Sequence, residues 1–163
     1  MATVYLSLGS NIEREANLCA AMQRLRQDFN HVVFSRVYET PAAGFAGEPF
    51  FNLAAGLTTE LSPTDLKHYL RELEQAHGRL RGEEKFSPRT LDIDLLLYDD
   101  WNLQPTTNLP HHDILTYAFV LFPLAEIAST VMHPVLQRSI SEIARESTLS
   151  AAMLRLVALN CGA

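Results

Sequence analysis

The chain has 163 residues, which is enough for one domain with a buried core, and its 47% apolar and 20% charged residues are ordinary for a globular protein. Its net charge of −6 argues against a protein that binds nucleic acid or an anionic membrane through its overall charge. The apolar run from Ala118 to Ala125 is far shorter than the ~20 residues of a membrane-spanning helix.

The two cysteines and the N-terminus predict where the protein resides. Cys19 and Cys161 lie far apart in the sequence, without the spacing of metal ligands, and are expected to be free thiols in a reducing cytosol. No basic segment precedes the first apolar residues, so no secretory signal is predicted. We therefore expect a cytoplasmic protein with a single domain over residues 1–163.

The first half of the chain alternates between strand and helix signals. Apolar residues at every second position predict a strand over Val4 to Leu8, which ends at the turn residues Gly9 to Asn11. A helical apolar stripe runs from Leu18 to Phe29. Two further strands are predicted from β-branched and aromatic residues, over His31 to Tyr38 and Phe51 to Thr59.

The second half begins with a helix start at Ser62, where a capping hydroxyl precedes a proline in the first turn, and this helix is expected to end near Gly78. A fourth strand is predicted over Leu91 to Tyr98. Short helices are predicted further on: Phe119 to Ala128, Ile140 to Ala144 and Leu149 to Leu159. This order predicts an α+β fold of the ferredoxin-like plan, with a four-stranded antiparallel sheet, two covering helices and a helical C-terminal tail.

An acidic pair on the fourth strand is the first candidate site. Asp92 and Asp94 are two positions apart, so both carboxylates project from one face of a strand. Two adjacent like charges are costly unless a cation lies between them, and Mg²⁺ prefers oxygen ligands. The alternative is a half-exposed strand with two solvated acids, which a bare Asp-x-Asp pattern alone favours.

The residues just before this pair are basic. Four of the thirteen Lys and Arg residues cluster there: Arg79, Arg81, Lys85 and Arg89. Arginine binds phosphate oxygens in a bidentate manner, and a metal with basic residues is typical of phosphoryl transfer. A solvated helix end with its loop is the alternative. The positions of the seven glycines exclude a P-loop and a dinucleotide fingerprint, so side chains and metal would have to hold the phosphates of a nucleotide.

Two further groups of residues lie near predicted loops. Pro110 is followed by two histidines and Asp113, but a zinc site is weakly supported because matched Cys or His spacing is missing. Phenylalanines usually pack in cores, yet an aromatic pair with the amide of Asn52 would also suit a flat heterocycle, stacked on its faces and hydrogen-bonded at its edge.

At these residues the chain resembles the 6-hydroxymethyl-7,8-dihydropterin pyrophosphokinase family of folate biosynthesis, over roughly residues 1–145. The matching segments are Leu6-Ser7-Leu8-Gly9-Ser10-Asn11, Tyr38-Glu39-Thr40-Pro41, Phe50-Phe51-Asn52, Gly78-Arg79-Leu80-Arg81, Ser87-Pro88-Arg89-Thr90-Leu91-Asp92-Ile93-Asp94, Leu109-Pro110-His111 and Phe119-Val120-Leu121-Phe122-Pro123-Leu124.

The resemblance implies an enzyme that moves the β,γ-pyrophosphoryl group of ATP to the hydroxymethyl oxygen of the pterin, with two Mg²⁺ ions at Asp92 and Asp94. It implies a catalytic set of Arg79, Arg81, Arg89, Asp92 and Asp94. It implies that ATP is bound by Glu74, Arg79, Arg81, Lys85, Arg89 and His111. It implies that the pterin is bound by Thr40, Pro41, Ala43, Phe50, Asn52 and Phe119.

The resemblance has departures, which keep other functions open. Tyr117 stands where many relatives of this family have an arginine, and this favours a divergent paralogue that binds pterin or nucleotide with little turnover. An RNA-binding module on a similar sheet is disfavoured by the net charge and by the lack of an aromatic RNP-type strand. We expect a working pyrophosphokinase that is a monomer and has no nucleic-acid or membrane partner.

Overall fold

A computed structural model describes residues 1–41, 48–77 and 91–161 of the chain. Its elements, in chain order, are β1 (Ala2–Ser10), α1 (Arg14–Asp28), β2 (Asn30–Phe34), β3 (Val37–Thr40), β4 (Phe50–Thr59), α2 (Pro63–Ala76), β5 (Asp92–Tyr98), α3 (Asp113–Thr116), α4 (Ala118–Ile127), α5 (Ile140–Glu146) and β6 (Arg155–Val157). No helix among the described residues is long and apolar enough to cross a membrane.

The strands form one antiparallel sheet in the order β5-β1-β4-β3-β6, and β2 pairs with the other half of β4. The α+β class with an antiparallel sheet is confirmed. The predicted count of four strands is wrong, because the described residues form six. The two additional strands arise at the two positions discussed next.

The predicted strand His31 to Tyr38 is two strands, and Ser35 causes the break. The Ser35 hydroxyl accepts the amide of Ala54 at 2.8 Å, and the backbone N–H of Ser35 donates to the carbonyl of Ala54 at 2.9 Å. A side chain thus replaces one backbone partner in the ladder, which divides β2 from β3. Both segments remain attached to β4.

The predicted helix Leu149 to Leu159 is also wrong, since this segment contains the short strand β6 beside β3. The edge of β3 presents unpaired backbone groups, which a following segment can satisfy. Arg155 and Glu39 lie opposite each other in the register and form an ion pair at 3.0 Å. Val157 and Leu159 pack against the main core, so the tail is held by tertiary contacts that a local pattern does not contain.

The expectation of free thiols is corrected by a disulfide between Cys19 in α1 and Cys161 after β6. Spacing along the sequence carries no information about this pair, because the tail returns across the sheet edge and brings the two Cα atoms to 5.3 Å. The disulfide and β6 together fasten the tail to α1 and β3.

The helices cover the sheet on both faces. α1 and α2 cover the face that contributes Leu6, Leu53 and Ile93 to the larger core. α4 and α5 cover Ala54 and Leu96 on the opposite face. Towards the end of the sheet, where β1 and β4 carry Gly9 and Asn52, this second face holds polar residues, and the candidate site lies there.

Candidate active site

Four residues form one row across the sheet. Asp92 in β5 pairs with Gly9 in β1, Gly9 pairs with Asn52 in β4, and Asn52 pairs with Tyr38 in β3. Residues that pair directly point to the same face of a sheet. Neighbouring strands lie about 4.8 Å apart, so the acidic residue and the amide residue are separated by about 10 Å. The register therefore places the predicted metal ligand Asp92 and the predicted pterin-binding residue Asn52 on the same face of the sheet.

Gly9 lies between them and has no side chain. A Cβ atom there would come within 2.8 Å of Asn52 Oδ1 and within 3.6 Å of Phe50 Cδ1. The absence of a side chain is needed for the position that Asn52 occupies. It also means that no side chain stands between Asp92 and Asn52 in this row.

Asp94 follows in the next row, opposite Ser7. Asp92 and Asp94 are both half-exposed, whereas Ile93 between them is buried in the main core. The structure thus bears out the alternation that the spacing predicts. Two half-exposed carboxylates on one face fit Mg²⁺, which takes oxygen ligands and commonly uses one or two carboxylates.

Glu74 approaches the same strand from α2 and is buried, with 7% of its surface exposed. Its Oε2 accepts the backbone N–H of Ile93 at 2.8 Å. Because β5 is the edge strand of the sheet, this amide would otherwise lack a ladder partner. Glu74 therefore fixes the segment that carries the two aspartates.

His111 binds β5 further along. Its backbone N–H donates to the carbonyl of Leu96 at 2.9 Å, and its Nε2 lies 3.9 Å from Oδ1 of Asp94. Its Nδ1 accepts the backbone N–H of Asp113 at 3.1 Å, which places the proton of the neutral ring on Nε2. The Nε2 atom of this ring is thus the one that lies near Asp94.

A cleft of about 270 Å³ opens between α2, β5 and the segment before α3. Glu74, Asp94 and His111 line this cleft, which brings together three of the residues predicted for ATP and metal. Asn108 lies on the same wall. The cleft therefore adjoins the acidic pair on the side away from Asn52.

Two basic residues of this cleft were missed in the sequence. Lys67 and Arg71 are four positions apart on α2, so they lie on the same face, and both line the cleft. Partial burial lowers the pKa of Lys67, and the nearby charge of Arg71 lowers it further. Neither side chain is in an ion pair with an acid of the described ranges. Lys67 and Arg71 precede Glu74 by seven and three residues, a spacing that places all three on one face of the helix, and this spacing could have indicated them in the sequence.

The other end of the row holds the predicted pterin residues. Asn52 is 3% exposed, and its Nδ2 donates to the hydroxyl of Thr40 at 2.9 Å. Phe50 is half-buried opposite Thr40 in the β3–β4 register, while Pro41 is exposed just after β3. Thr40, Phe50 and Asn52 are thus brought together.

Phe119 lies at the start of α4 and is half-buried. Its ring stacks on that of Tyr117, with 5.0 Å between centroids and 28° between planes. α4 packs on β3 and β4, the two strands that carry Thr40 and Asn52. Sequence reasoning left the role of Tyr117 open, and its stacking on Phe119 is a finding of the structure.

Asn11 and Arg14 also act near Phe50 and were not predicted. The Asn11 amide donates to the carbonyl of Glu48 at 3.1 Å, and an Arg14 Nη donates to that of Pro49 at 2.8 Å. The Arg14 guanidinium lies 3.9 Å from the centroid of the Phe51 ring and 3.1 Å from Glu39. These contacts fix the start of β4.

His111, His112 and Asp113 each offer one ligand atom within 4.8 Å of the others, and they are the one such group of three among the described ranges. Nδ1 of His111 already accepts a backbone N–H, and Nε2 of His112 lies 3.1 Å from Asp113. These contacts engage one ring nitrogen of each histidine.

Several predicted residues lie outside the described ranges: Arg79, Arg81, Lys85 and Arg89 before β5, and Ala43 after β3. Their assignments stay predictions. The described part of the site accordingly comprises the acidic pair, the cleft beside it and the group of Thr40, Phe50 and Asn52.

A family model described as 7,8-dihydro-6-hydroxymethylpterin-pyrophosphokinase (HPPK) matches residues 5–129. The chain belongs to this family. The match spans β1 to α4 and therefore every described residue of the candidate site. The resemblance inferred from the sequence motifs is confirmed, and β6 lies beyond the matched region.

Three relatives of the HPPK family are named 2-amino-4-hydroxy-6-hydroxymethyldihydropteridine pyrophosphokinase. The protein of Aquifex aeolicus is 35% identical, over 91% of this chain and 94% of its own length. That of Pseudomonas aeruginosa is 37% identical, over 80% and 83%. That of Bacillus subtilis is 37% identical, over 78% of each.

Solved structures share the fold. An HPPK-DHPS structure of Plasmodium falciparum with SDX-DHP has a TM-score of 0.66 at 14% identity, and an HPPK-DHPS structure in complex with substrates has 0.68 at 13%. They cover 90% and 88% of this chain. The chain spans 43% of each of those longer chains, so the likeness concerns the HPPK fold alone.

Proposed function

We propose that this protein transfers the pyrophosphoryl group of ATP to the hydroxymethyl group of 6-hydroxymethyl-7,8-dihydropterin, releasing AMP, as a step of folate biosynthesis. The observation that carries the proposal is the row Asp92–Gly9–Asn52, with the cleft of Glu74 and His111 beyond its acidic end and Thr40 beside Asn52 at its other end. The acidic pair lies between this cleft and the proposed pterin pocket, where a group passing from one to the other would be transferred.

The pterin is proposed to bind at the Asn52 end. The amide of Asn52, held by Thr40, would hydrogen-bond the polar edge of the heterocycle, and Phe50 with Phe119 would stack on its faces. Pro41 and Ala43 are proposed to complete this pocket. An aromatic wall with a fixed amide selects a flat ring that carries hydrogen-bonding groups at one edge.

ATP is proposed to bind in the cleft on the other side of the acidic pair. His111 directs an imidazole N–H there, and Lys67 and Arg71 add two positive charges on the α2 wall. Arg79, Arg81, Lys85 and Arg89 are proposed to bind the phosphates as well. Glu74 is proposed to act in this site by holding the backbone of Ile93.

Asp92 and Asp94 are the residues that would hold Mg²⁺, and two ions are proposed. When bound, Mg²⁺ supplies charge neutralisation on the phosphates that carry the transferred group. The chain itself contributes positioning: the sheet fixes both carboxylates on one face, and the Asn52 pocket orients the hydroxymethyl oxygen. In-line transfer needs such alignment more than a covalent nucleophile.

Four broader features complete the proposal. Residues 1–163 are proposed to form one pyrophosphokinase-like domain, which acts as a monomer in the cytoplasm. Neither nucleic acid nor a membrane is proposed as a partner, in keeping with the net charge of −6.

The test measures AMP release from Mg-ATP with and without 6-hydroxymethyl-7,8-dihydropterin, with a metal-free control and with Asp94→Ala. AMP that requires both pterin and metal, and that is lost in Asp94→Ala, supports the proposal. Formation of ADP would contradict pyrophosphoryl transfer. An Asp94→Ala enzyme of full activity would contradict the assigned metal ligand.

The second candidate is a divergent paralogue that binds pterin without efficient turnover, and the stacked Tyr117–Phe119 pair is the observation that favours it. Such a stack strengthens ring binding without adding positive charge for a phosphate. Saturable pterin binding without AMP release in the same assay would identify it.

A further inference from the structure

Glu126 lies near the end of α4 and connects that helix to the junction of β2 and β3. Its Oε1 accepts the backbone N–H of Arg36 at 3.0 Å, and its Oε2 accepts an Nη–H of Arg36 at 3.2 Å. Oε2 also accepts the phenol O–H of Tyr38. One carboxylate therefore receives three hydrogen bonds from two residues near the start of β3.

The protonation states of this group are defined. Desolvation alone would raise the pKa of Glu126, but the hydrogen bonds from Tyr38 and Arg36 outweigh it and lower the pKa. Burial raises the pKa of Tyr38, and the hydrogen bond to Glu126 raises it further. At neutral pH the carboxylate is thus an acceptor and the phenol remains a donor.

Each partner belongs to a different wall of the proposed pterin pocket. Tyr38 pairs with Asn52 across the sheet, and Thr40, two residues later on the same strand, binds the Asn52 amide. Glu126 follows Phe119 by seven positions on α4, which is two helical turns, so the two side chains lie on the same side of the helix about 10 Å apart.

The first turn of α4, which carries Phe119, depends on tertiary contacts for its position. Pro123 lies inside α4 and has no N–H to donate to the carbonyl of Phe119. The helix is held to the sheet by Val120, Leu121 and Leu124 in the second core and, at its far end, by Glu126. Apolar packing is non-directional, whereas the three hydrogen bonds fix one placement of α4 relative to β3.

We infer that Glu126 and Tyr38 are positioning residues for the pterin, because they set the separation between the Phe119 wall and the Thr40–Asn52 wall. The inference rests on the proposed function and concerns residues outside the metal and ATP sites. The contact of Glu126 with Arg36 and Tyr38 is expected to affect the proposed pterin pocket and to leave the cleft of Asp94 and His111 unchanged.

The test compares Glu126→Gln and Tyr38→Phe with the wild type in two measurements: equilibrium binding of the pterin, followed by its fluorescence, and the KM values for pterin and ATP in the AMP assay. The matched control is Glu146→Gln, which removes an exposed Glu–Arg contact on α5. Thermal melts establish that each variant is folded.

We expect a threefold to tenfold weaker pterin Kd and a matching rise in pterin KM in each variant, since net hydrogen bonds of this kind correspond to such factors. The KM for ATP should not change in these variants, and the control should keep the wild-type pterin Kd and KM values. The double variant should bind the pterin little more weakly than either single variant, because both substitutions remove the same contact.

Equal rises in both KM values, or an unchanged pterin Kd in folded variants, would overturn the inference. A wild type that binds pterin but releases no AMP would overturn the proposed function but not the positioning role of Glu126 and Tyr38. A wild type that binds no pterin would overturn both.

Discussion

At the scale of single residues, Gly9 determines how closely the two halves of the site approach each other. We expect Gly9→Ala to raise the KM for the pterin about tenfold with little change in the KM for ATP, because its Cβ would displace the Asn52 amide from its place beside Thr40. Steady-state AMP release with each substrate varied in turn measures this.

Gly56→Ala is the matched control for this substitution. Gly56 also lies in a strand of the β1–β4 pair, but a Cβ there would come within 2.9 Å of Tyr5, away from the site. We expect it to lower the Tm without a change specific to the pterin. If both variants alter the pterin KM equally, the effect of Gly9→Ala is one of stability alone.

The acidic pair was predictable from the sequence, because two positions along a strand always return to the same face. The cluster of Asn52 with Thr40 was expected only through the family resemblance, since their contact depends on the register of β3 with β4. Lys67 and Arg71 were missed because an i, i+4 basic pair on a helix usually lies in solvent, and only the fold turns it towards a cleft.

At the scale of elements, α2 contributes two cationic residues, Lys67 and Arg71, to the cleft in which ATP is proposed to bind. We expect Lys67→Ala and Arg71→Ala each to raise the KM for ATP threefold to tenfold, because charge-assisted contacts are partly screened at such exposure. The KM for the pterin should not change. Kinetics at low and high salt measure the effect, which should shrink as salt rises.

Arg145→Ala is the control for these two variants, since it removes the same charge from α5. An equal change in the KM for ATP in this control would attribute the effect to net charge. An unchanged KM in both α2 variants would remove Lys67 and Arg71 from the site.

α5 begins with a capping box, in which the Ser139 hydroxyl accepts the N–H of Glu142 and the Glu142 side chain accepts that of Ser139. We expect Ser139→Ala to lower the free energy of unfolding by about 1 kcal/mol. Urea denaturation measures this, with the exposed Thr148→Ala as control. A midpoint equal to that of the control would contradict the role of the cap.

The capping residue of α2 shows why the start of this helix was predicted correctly. Ser62 accepts the N–H of Asp65 three residues later, so the signal is local. The break at Ser35 and the strand β6 were not predicted, because each depends on a partner strand that is distant in the sequence. Local chemistry accounts for the start of α2, and non-local pairing accounts for these two errors.

At the scale of the whole molecule, the disulfide Cys19–Cys161 fastens the tail across the sheet edge. We expect Cys161→Ser, or reduction by a dithiol, to lower the free energy of unfolding by about 4 kcal/mol, since cross-linking a long loop restricts the unfolded chain. Urea denaturation with and without the reductant measures this.

The Cys161→Ser protein is its own control, because its midpoint should not respond to the reductant. An identical midpoint for the oxidised and reduced wild type would contradict a stabilising cross-link. In a reducing compartment the two residues would be thiols, and β6 would then be held by its hydrogen bonds to β3, by the Arg155–Glu39 ion pair and by the packing of Val157 against the main core.

The Cys19–Cys161 disulfide also determines the result of a proteolytic cut in the backbone. The 142 positions from Cys19 to Cys161 are thereby closed into a covalent ring. One proteolytic cut anywhere inside the ring leaves a single molecule of nearly unchanged mass. On a denaturing gel without reductant the nicked protein would remain one band, and only after reduction of the disulfide would two fragments separate.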